Sequence, residues 1–307
     1  MATQLDIEAM YDWVDTIHEL RLGKFADFTA AYYDGDFSKS LAQAQKDKQD
    51  WIFDGVGVTE QGKKILDIGS GWGPVLNAAR ERGSTGVGLT LSSAQQRYCT
   101  REGLTAQLRD WKKVNPSELG TFDAVISVGA FEHFCSEEEY NAGKQEEVYT
   151  QFFDFCADSL PLGGRLYLQT MVWGTRVPVS SEIRLDATEG SPEQILARMR
   201  KFYPGSWLPS SKEQMLNLAS NRFKFIKSSN GRNDYIETLN GWTEGTKNLW
   251  KFPTIFKSLL AFAQLAPRYL TDPDFRVQIE SVMKNDQQEC FIQEIMTHAR
   301  MVFERIA

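Results

Sequence analysis

The chain has 307 residues, 42% of them hydrophobic, enough to bury a continuous core unaided. Its 34 Lys and Arg against 41 Asp and Glu leave a net charge of −7, the wrong sign for gripping a phosphate backbone, so no nucleic-acid partner is expected. Cys99, Cys135, Cys156 and Cys290 show no CxxC spacing, so neither a disulfide framework nor a metal site is expected.

Near the start, Asp6, Glu8, Asp12, Asp15 and Glu19 stand where a secretory signal needs a basic start and an unbroken apolar run, which points to a cytoplasmic protein. Met10, Trp13, Val14, Ile17 and Leu20, at three- and four-residue spacing, predict a helix, and a second follows from Ser40 through Phe53. From Lys63 strands and helices alternate. Strands are expected over Lys64–Ile68, Gly86–Leu89, Ala106–Leu108, Phe122–Val128 and Arg165–Thr170, with helices to about Arg82, from Ser92, and through Val148 to Leu160. That rhythm implies an α/β, Rossmann-like fold with a mostly parallel sheet and helices on both faces.

After Trp173 the rhythm fails for about fifty residues that contain Pro178, Pro192, Pro204 and Pro209, a stretch expected to form a lid over the sheet's carboxyl edge. A strand candidate at Arg222–Ile226 follows, then helical sequence to the end. The expected organisation is one domain: amino-terminal helices over 1–60, the Rossmann-like core over 61–175, the lid and substrate pocket over 176–255 and a helical tail over 256–307. Glu137, Glu138 and Glu139 are expected in a solvated loop, and Arg198, Arg200 and Lys201 on a basic helix face near the lid. The most apolar late segment, Phe252–Pro267, is interrupted by Lys257 and Gln264 and is too short to span a bilayer, so membrane contact is expected to be peripheral at most.

The segment Ile65-Leu66-Asp67-Ile68-Gly69-Ser70-Gly71-Trp72-Gly73 puts a glycine-rich turn after a buried strand and before a helix, where a ligand can approach bare backbone and free N–H groups. Such a turn alone serves a dinucleotide site or simple tight packing equally well. A dinucleotide enzyme would carry Asp or Glu at the end of the second strand. Here Thr90, Leu91, Ser92 and Gln95 offer neutral groups instead, which argues against NAD. Asp110 and Trp111 follow the third strand, where an indole can stack on adenine and a carboxylate can accept from its amino group.

The string Val128-Gly129-Ala130-Phe131-Glu132-His133-Phe134, with Gly86–Gln95, closely resembles the cyclopropane fatty acid synthase family, which includes the mycolic acid cyclopropane synthases and methyltransferases. The likeness continues at Tyr32-Tyr33, Leu41–Gln45, Phe202–Gly205, Leu208–Ser210 and Tyr235–Trp242, and spans about residues 28–250. It implies a methyltransferase dependent on S-adenosylmethionine, with Gly69 and Gly71 at the methionine portion, Asp67 in the same site, and Thr90, Leu91 and Gln95 at the ribose. By the same resemblance Asp110 and Trp111 flank adenine, Phe28 and Thr29 close over the cofactor, and Val128 lies beside it. Lys112 stands where the mycolate enzymes have Glu.

The resemblance further implies attack by an alkene of a lipid acyl chain on the sulfonium methyl, giving a carbocation that must lose a proton, with Glu132 or a bound bicarbonate as base and cyclopropanation or methylation as the outcome. Tyr235 matches the tyrosine that hydrogen-bonds the bicarbonate. Ala30 and Gln169 replace an expected cysteine and histidine, and Gln169 keeps a hydrogen-bond donor without imidazole's charge. Trp173 and Phe131 are expected to offer π-faces to the cation, and His133 to order its loop. Two alternatives accompany this reading: a methyltransferase of a smaller metabolite, at isoprenoid carbon or amine nitrogen, and a non-catalytic protein that binds S-adenosylmethionine. Oligomeric state is not legible.

Overall fold

The computed structural model describes Phe25 and residues 27–307. The helix expected over Met10–Leu20 lies outside the described residues. Helix α1, Leu41–Val56, starts where the Ser40 side chain accepts from the Gln43 amide and ends at Gly57 in the left-handed conformation.

The alternating stretch then lays down β1 (Lys64–Ile68), α2 (Pro74–Glu81), β2 (Thr85–Thr90), α3 (Ser93–Arg101), β3 (Thr105–Leu108), α4 (Pro116–Leu119), β4 (Ala124–Val128), α5 (Glu137–Asn141), α6 (Gln145–Asp158) and β5 (Arg165–Trp173). Strands β1, β4 and β5 read as short apolar runs because helices cover both faces of a parallel sheet. Beyond β5 come α7 (Pro192–Phe202), α8 (Lys212–Ala219), β6 (Phe223–Asn230), α9 (Arg232–Gly245), α10 (Thr254–Thr271), α11 (Pro273–Met283), α12 (Asp286–Ile292) and β7 (Met296–Arg305).

These strands form one seven-stranded sheet in the order β3-β2-β1-β4-β5-β7-β6. The first five are parallel, and β7 runs antiparallel between β5 and β6, pairing Leu168 with Met301 and Trp173 with Met296. The expected helical tail is therefore corrected: residues 296–305 are a strand. Met296, Ala299 and Val302 recur at helical spacing, yet the segment is buried along nearly its whole length because it is an interior strand. Its buried arginine is held by partners. Arg300 is fully buried, donating to Asp234 at 2.7 Å and to the Ala31 carbonyl at 2.5 Å.

Two smaller expectations also change. Glu137–Asn141 is a short helix with a capping box, in which the Ser136 hydroxyl accepts from the Glu139 amide and the Glu139 carboxylate accepts from the Ser136 amide. The basic patch near the lid is dispersed into ion pairs: Arg198 is buried against Asp286, Arg200 meets Glu137 and Lys201 meets Asp274. Helices α7, α9, α11 and α12 pack on one another to cap the carboxyl ends of β1, β4 and β5, so part of the sequence expected as tail belongs to this cap.

Candidate active site

A cavity of about 660 Å³ opens between the strand ends and the helical cap. Its floor is the turn after β1. Gly69 has φ 86°, and a Cβ there would stand 2.2 Å from that of Ala130, so only glycine lets the β1 and β4 ends meet so closely. Gly71, at φ 52°, has no atom within 4 Å of where a Cβ would stand and gives the ligand bare backbone. Asp67 lies beneath, 1% exposed, with Oδ2 unpartnered. Burial, and then the neighbouring Asp27 charge, push its carboxyl up to about 8.

At the end of β2 the Thr90 hydroxyl donates to Gln95 Oε1 at 2.8 Å and accepts from the Ser92 amide, while Ser92 caps α3. Leu91 lines the wall beside them. After β3, Asp110 caps a turn by accepting from the Lys112 amide, and Trp111 sinks its ring against Phe134, Phe152 and Phe155 while still bordering the cavity. Lys112 reaches Glu139 at 3.2 Å, so the departure at that position is balanced by a residue of the glutamate run.

The roof is the segment Asp27–Ala31, fastened to α1. Lys48, fully buried, meets Asp27 Oδ2 at 2.5 Å and Thr29 Oγ1 at 2.7 Å, and Gln45 donates to the Asp27 and Thr29 carbonyls. Phe28 packs edge-on against Trp242 of α9, and Val128 borders the cavity from β4. All eleven residues expected at the cofactor therefore line one cavity.

Glu132 sits in the turn after β4, 3% exposed. Its Oε1 accepts from the Met171 amide at 2.7 Å, and Oε2 is buried without a partner. Burial raises its carboxyl to about 7, against the opposing hydrogen bond from Met171. Around it the cap supplies Met199, Phe202 and Tyr203 from α7 and its carboxyl end, and Tyr235, Leu239 and Trp242 from α9. The Tyr235 hydroxyl accepts from Gln287 Nε2 at 3.2 Å. His133 Nδ1 lies 2.8 Å from the Ser206 hydroxyl, and burial depresses its ring to about 4, so it is neutral at pH 7 and holds the loop after α7.

Gln169 is not brought to the cavity. Its Oε1 accepts from the Tyr167 hydroxyl at 2.7 Å and its Nε2 donates to the Ala30 carbonyl at 3.1 Å, so it is a buried strut between β5 and the roof. Phe131 and Trp173, expected as π-faces, also pack elsewhere: Phe131 on Tyr149 in the core, Trp173 against Trp207. Sequence reasoning missed Met171, Met199 and Gln287. Nothing local marks them: Met171 meets Glu132 through its β5 amide, and the packing of the cap brings Met199 and Gln287 to the cavity.

Residues 2–279 match the sequence model described as mycolic acid cyclopropane synthetase. Cyclopropane mycolic acid synthase 2 of Mycobacterium leprae (strain TN) is 32% identical over 256 residues, 77% of this chain and 77% of its own length. Among solved structures, the cyclopropane synthase MmaA2 from Mycobacterium tuberculosis superposes with a TM-score of 0.75 at 22% identity, covering 98% of both chains. The mycolic acid cyclopropane synthase CmaA1, solved in complex with SAH and CTAB, gives 0.74 at 22% identity and the same coverage, and these two likenesses speak to fold.

Proposed function

The chain belongs to the mycolic acid cyclopropane synthetase family and is thus an S-adenosylmethionine-dependent methyltransferase; on that premise we propose that it methylates an alkene carbon of a lipid acyl chain, with Glu132 as proton acceptor. When bound, S-adenosylmethionine supplies an electrophilic methyl group on a sulfonium centre. The residues fit it. Gly71 leaves open space for the methionine portion, the orphaned Asp67 oxygen suits a ligand bearing positive charge, and Thr90 with Gln95 offers neutral partners for ribose hydroxyls. Asp110 and Trp111 would hold adenine, and Phe28 and Thr29, pinned by Lys48, would close the roof.

The observation that carries the lipid reading is the unpartnered, buried Glu132 carboxylate oxygen inside a wall of apolar and aromatic side chains. An alkene that takes the methyl group becomes a carbocation, which needs electron-rich neighbours, exclusion of water and a base. Tyr203, Tyr235 and Trp242 offer π-faces, and the cap excludes solvent. Glu132, raised to about 7 and steered by the Met171 N–H, holds a proton without requiring a free charge in apolar surroundings.

The residues do not fit a bound bicarbonate. Ala30 offers no thiol, the Gln169 amide is held away from the cavity by Tyr167 and the Ala30 carbonyl, and the Met171 N–H is taken by Glu132. Nor is a diphosphate suited to the substrate half. The Lys and Arg residues lining the cavity, Arg109, Lys112 and Lys113, all stand at its Asp110–Trp111 end and pair with Glu118, Glu139 and Asp110.

The test is transfer from methyl-labelled S-adenosylmethionine to separate pools of phospholipids, acyl thioesters, prenyl diphosphates and amines. Label is expected in an acyl chain, falling about 10²- to 10⁴-fold in Glu132→Gln while cofactor affinity holds. The rate should rise with pH as Glu132 deprotonates through about 7, without dependence on bicarbonate. Label confined to prenyl diphosphates or amines would overturn the lipid substrate.

A further inference from the structure

Between Glu244 and Asp272 the chain carries four cations, Lys247, Lys251, Lys257 and Arg268, and not one acidic residue, although the whole protein has a net charge of −7. The same stretch gathers several of the most exposed large apolar side chains of the described structure. Phe252 is 82% exposed, Phe256 64% and Leu270 72%, joined by Trp250, Leu259 and Leu260.

Helical periodicity explains the arrangement. Phe256, Leu259, Leu260, Ala263, Pro267 and Leu270 fall on one side of α10, while Ser258 and Ala261 are buried on the other. Trp250 stacks on Phe262 at 6.0 Å and Phe252 meets Phe256 edge-on at 6.0 Å, so the aromatic residues form a cluster at the start of the helix. Lys247 and Lys257 are exposed beside it. No helix among the described residues is long and apolar enough to cross a membrane. The α9 segment leading into this stretch lines the cavity through Leu239, Trp242 and Thr243.

We propose that Trp250, Phe252 and the outer face of α10 form a docking surface for an anionic lipid bilayer, lying in its interface with Lys247 and Lys257 beside the headgroups. The occupant is chosen by charge: an apolar face in a wholly basic stretch of an otherwise acidic protein complements a negatively charged lipid surface, whereas in a pair of identical copies those cations would face each other. Aromatic rings at the level of the headgroups and snorkelling lysines are what such an interface favours. The inference rests on surface chemistry and does not require the methyl acceptor to be a lipid.

The full chain is floated with vesicles of phosphatidylglycerol and phosphatidylcholine, and with phosphatidylcholine alone, at low and high salt. Binding is expected to the anionic vesicles and to weaken with salt. Lys247→Gln with Lys257→Gln should weaken it about thirtyfold, and Phe252→Ser with Phe256→Ser should abolish it. Retained cofactor affinity and circular dichroism would show that these surface variants fold. No flotation with any vesicle would overturn the proposal. So would a dimer in sedimentation that Phe256→Ser dissolves, which gives the face to a second copy. Shielding of Trp250 and Phe256 from hydroxyl-radical labelling in the lipid-free monomer would give it to the chain's own residues, again overturning the proposal.

Discussion

The two halves of the cavity are built by different means. The cofactor half is defined by the strand ends and the turns that follow them, and its floor follows from backbone, with Gly69 close against Ala130. The substrate half is assembled from side chains of α7, α9, α11 and α12, helices separated in the chain that pack on one another. A floor made of backbone constrains its ligand closely, whereas a wall made of side chains on separate helices can be rebuilt for another substrate without disturbing the floor.

The largest expected effect is on the cap. Asp286 is 1% exposed and holds Arg198 with two 2.6 Å bonds, so Asp286→Ala should cost about 3–5 kcal/mol by stranding a buried guanidinium. Thermal melts should register that loss. If the halves are separable, cofactor affinity measured by calorimetry stays within a few-fold while substrate KM rises; a matching collapse of both would erase the distinction.

Glu132→Gln sharpens the comparison in the other direction. The Glu132 carboxyl is raised from 4.5 to about 7 in the fold, so the folded state binds more protons between those values and stability falls as pH rises through them. Removing the ionisable group should therefore stabilise the protein above pH 7, by about 3 kcal/mol at most, and have no such effect near pH 4. Denaturant melts at pH 8 and pH 4 read this directly. An inactive variant that is also more stable would mark the site as one where stability is given up for chemistry.

Gly69→Ala should cost about 1–3 kcal/mol in strain at positive φ, with further crowding against Ala130, and should weaken cofactor binding more than it slows the bound enzyme. Smallest is Tyr235→Phe. It removes the hydroxyl that accepts from Gln287 and should cost about 1 kcal/mol of stability, with an altered KM and unchanged cofactor affinity.

The same division decides what was legible in the sequence. The floor was readable because strand, glycine turn and helix are adjacent in the chain, and the Gly-Ala-Phe-Glu-His-Phe string placed Glu132 before any coordinate did. Gln169 shows the limit. Its place in the fifth strand is legible, although β5 runs on to Trp173 and leaves Gln169 in mid-strand, but the direction of its amide depends on Tyr167 and on the Ala30 carbonyl, 139 residues away. The tail was misread for a related reason. Met296, Ala299 and Val302 carry helical spacing, and only the partners β5 and β6 reveal that the segment is an interior strand.

That interior strand also bears on how the enzyme is made. β6 pairs only with β7 in the sheet, and Arg300 of β7 holds both the Ala31 carbonyl and Asp234 of α9. On the ribosome, β1 to β5 can pair before residues 296–305 emerge, whereas β6 has no strand partner until they do, and the Arg300 ties to the roof and to α9 form only then. A nascent chain stopped short of β7 would therefore lack the strand that ties β5, β6, the roof and α9 together and would leave apolar surface uncovered, the state that chaperones and proteases meet first.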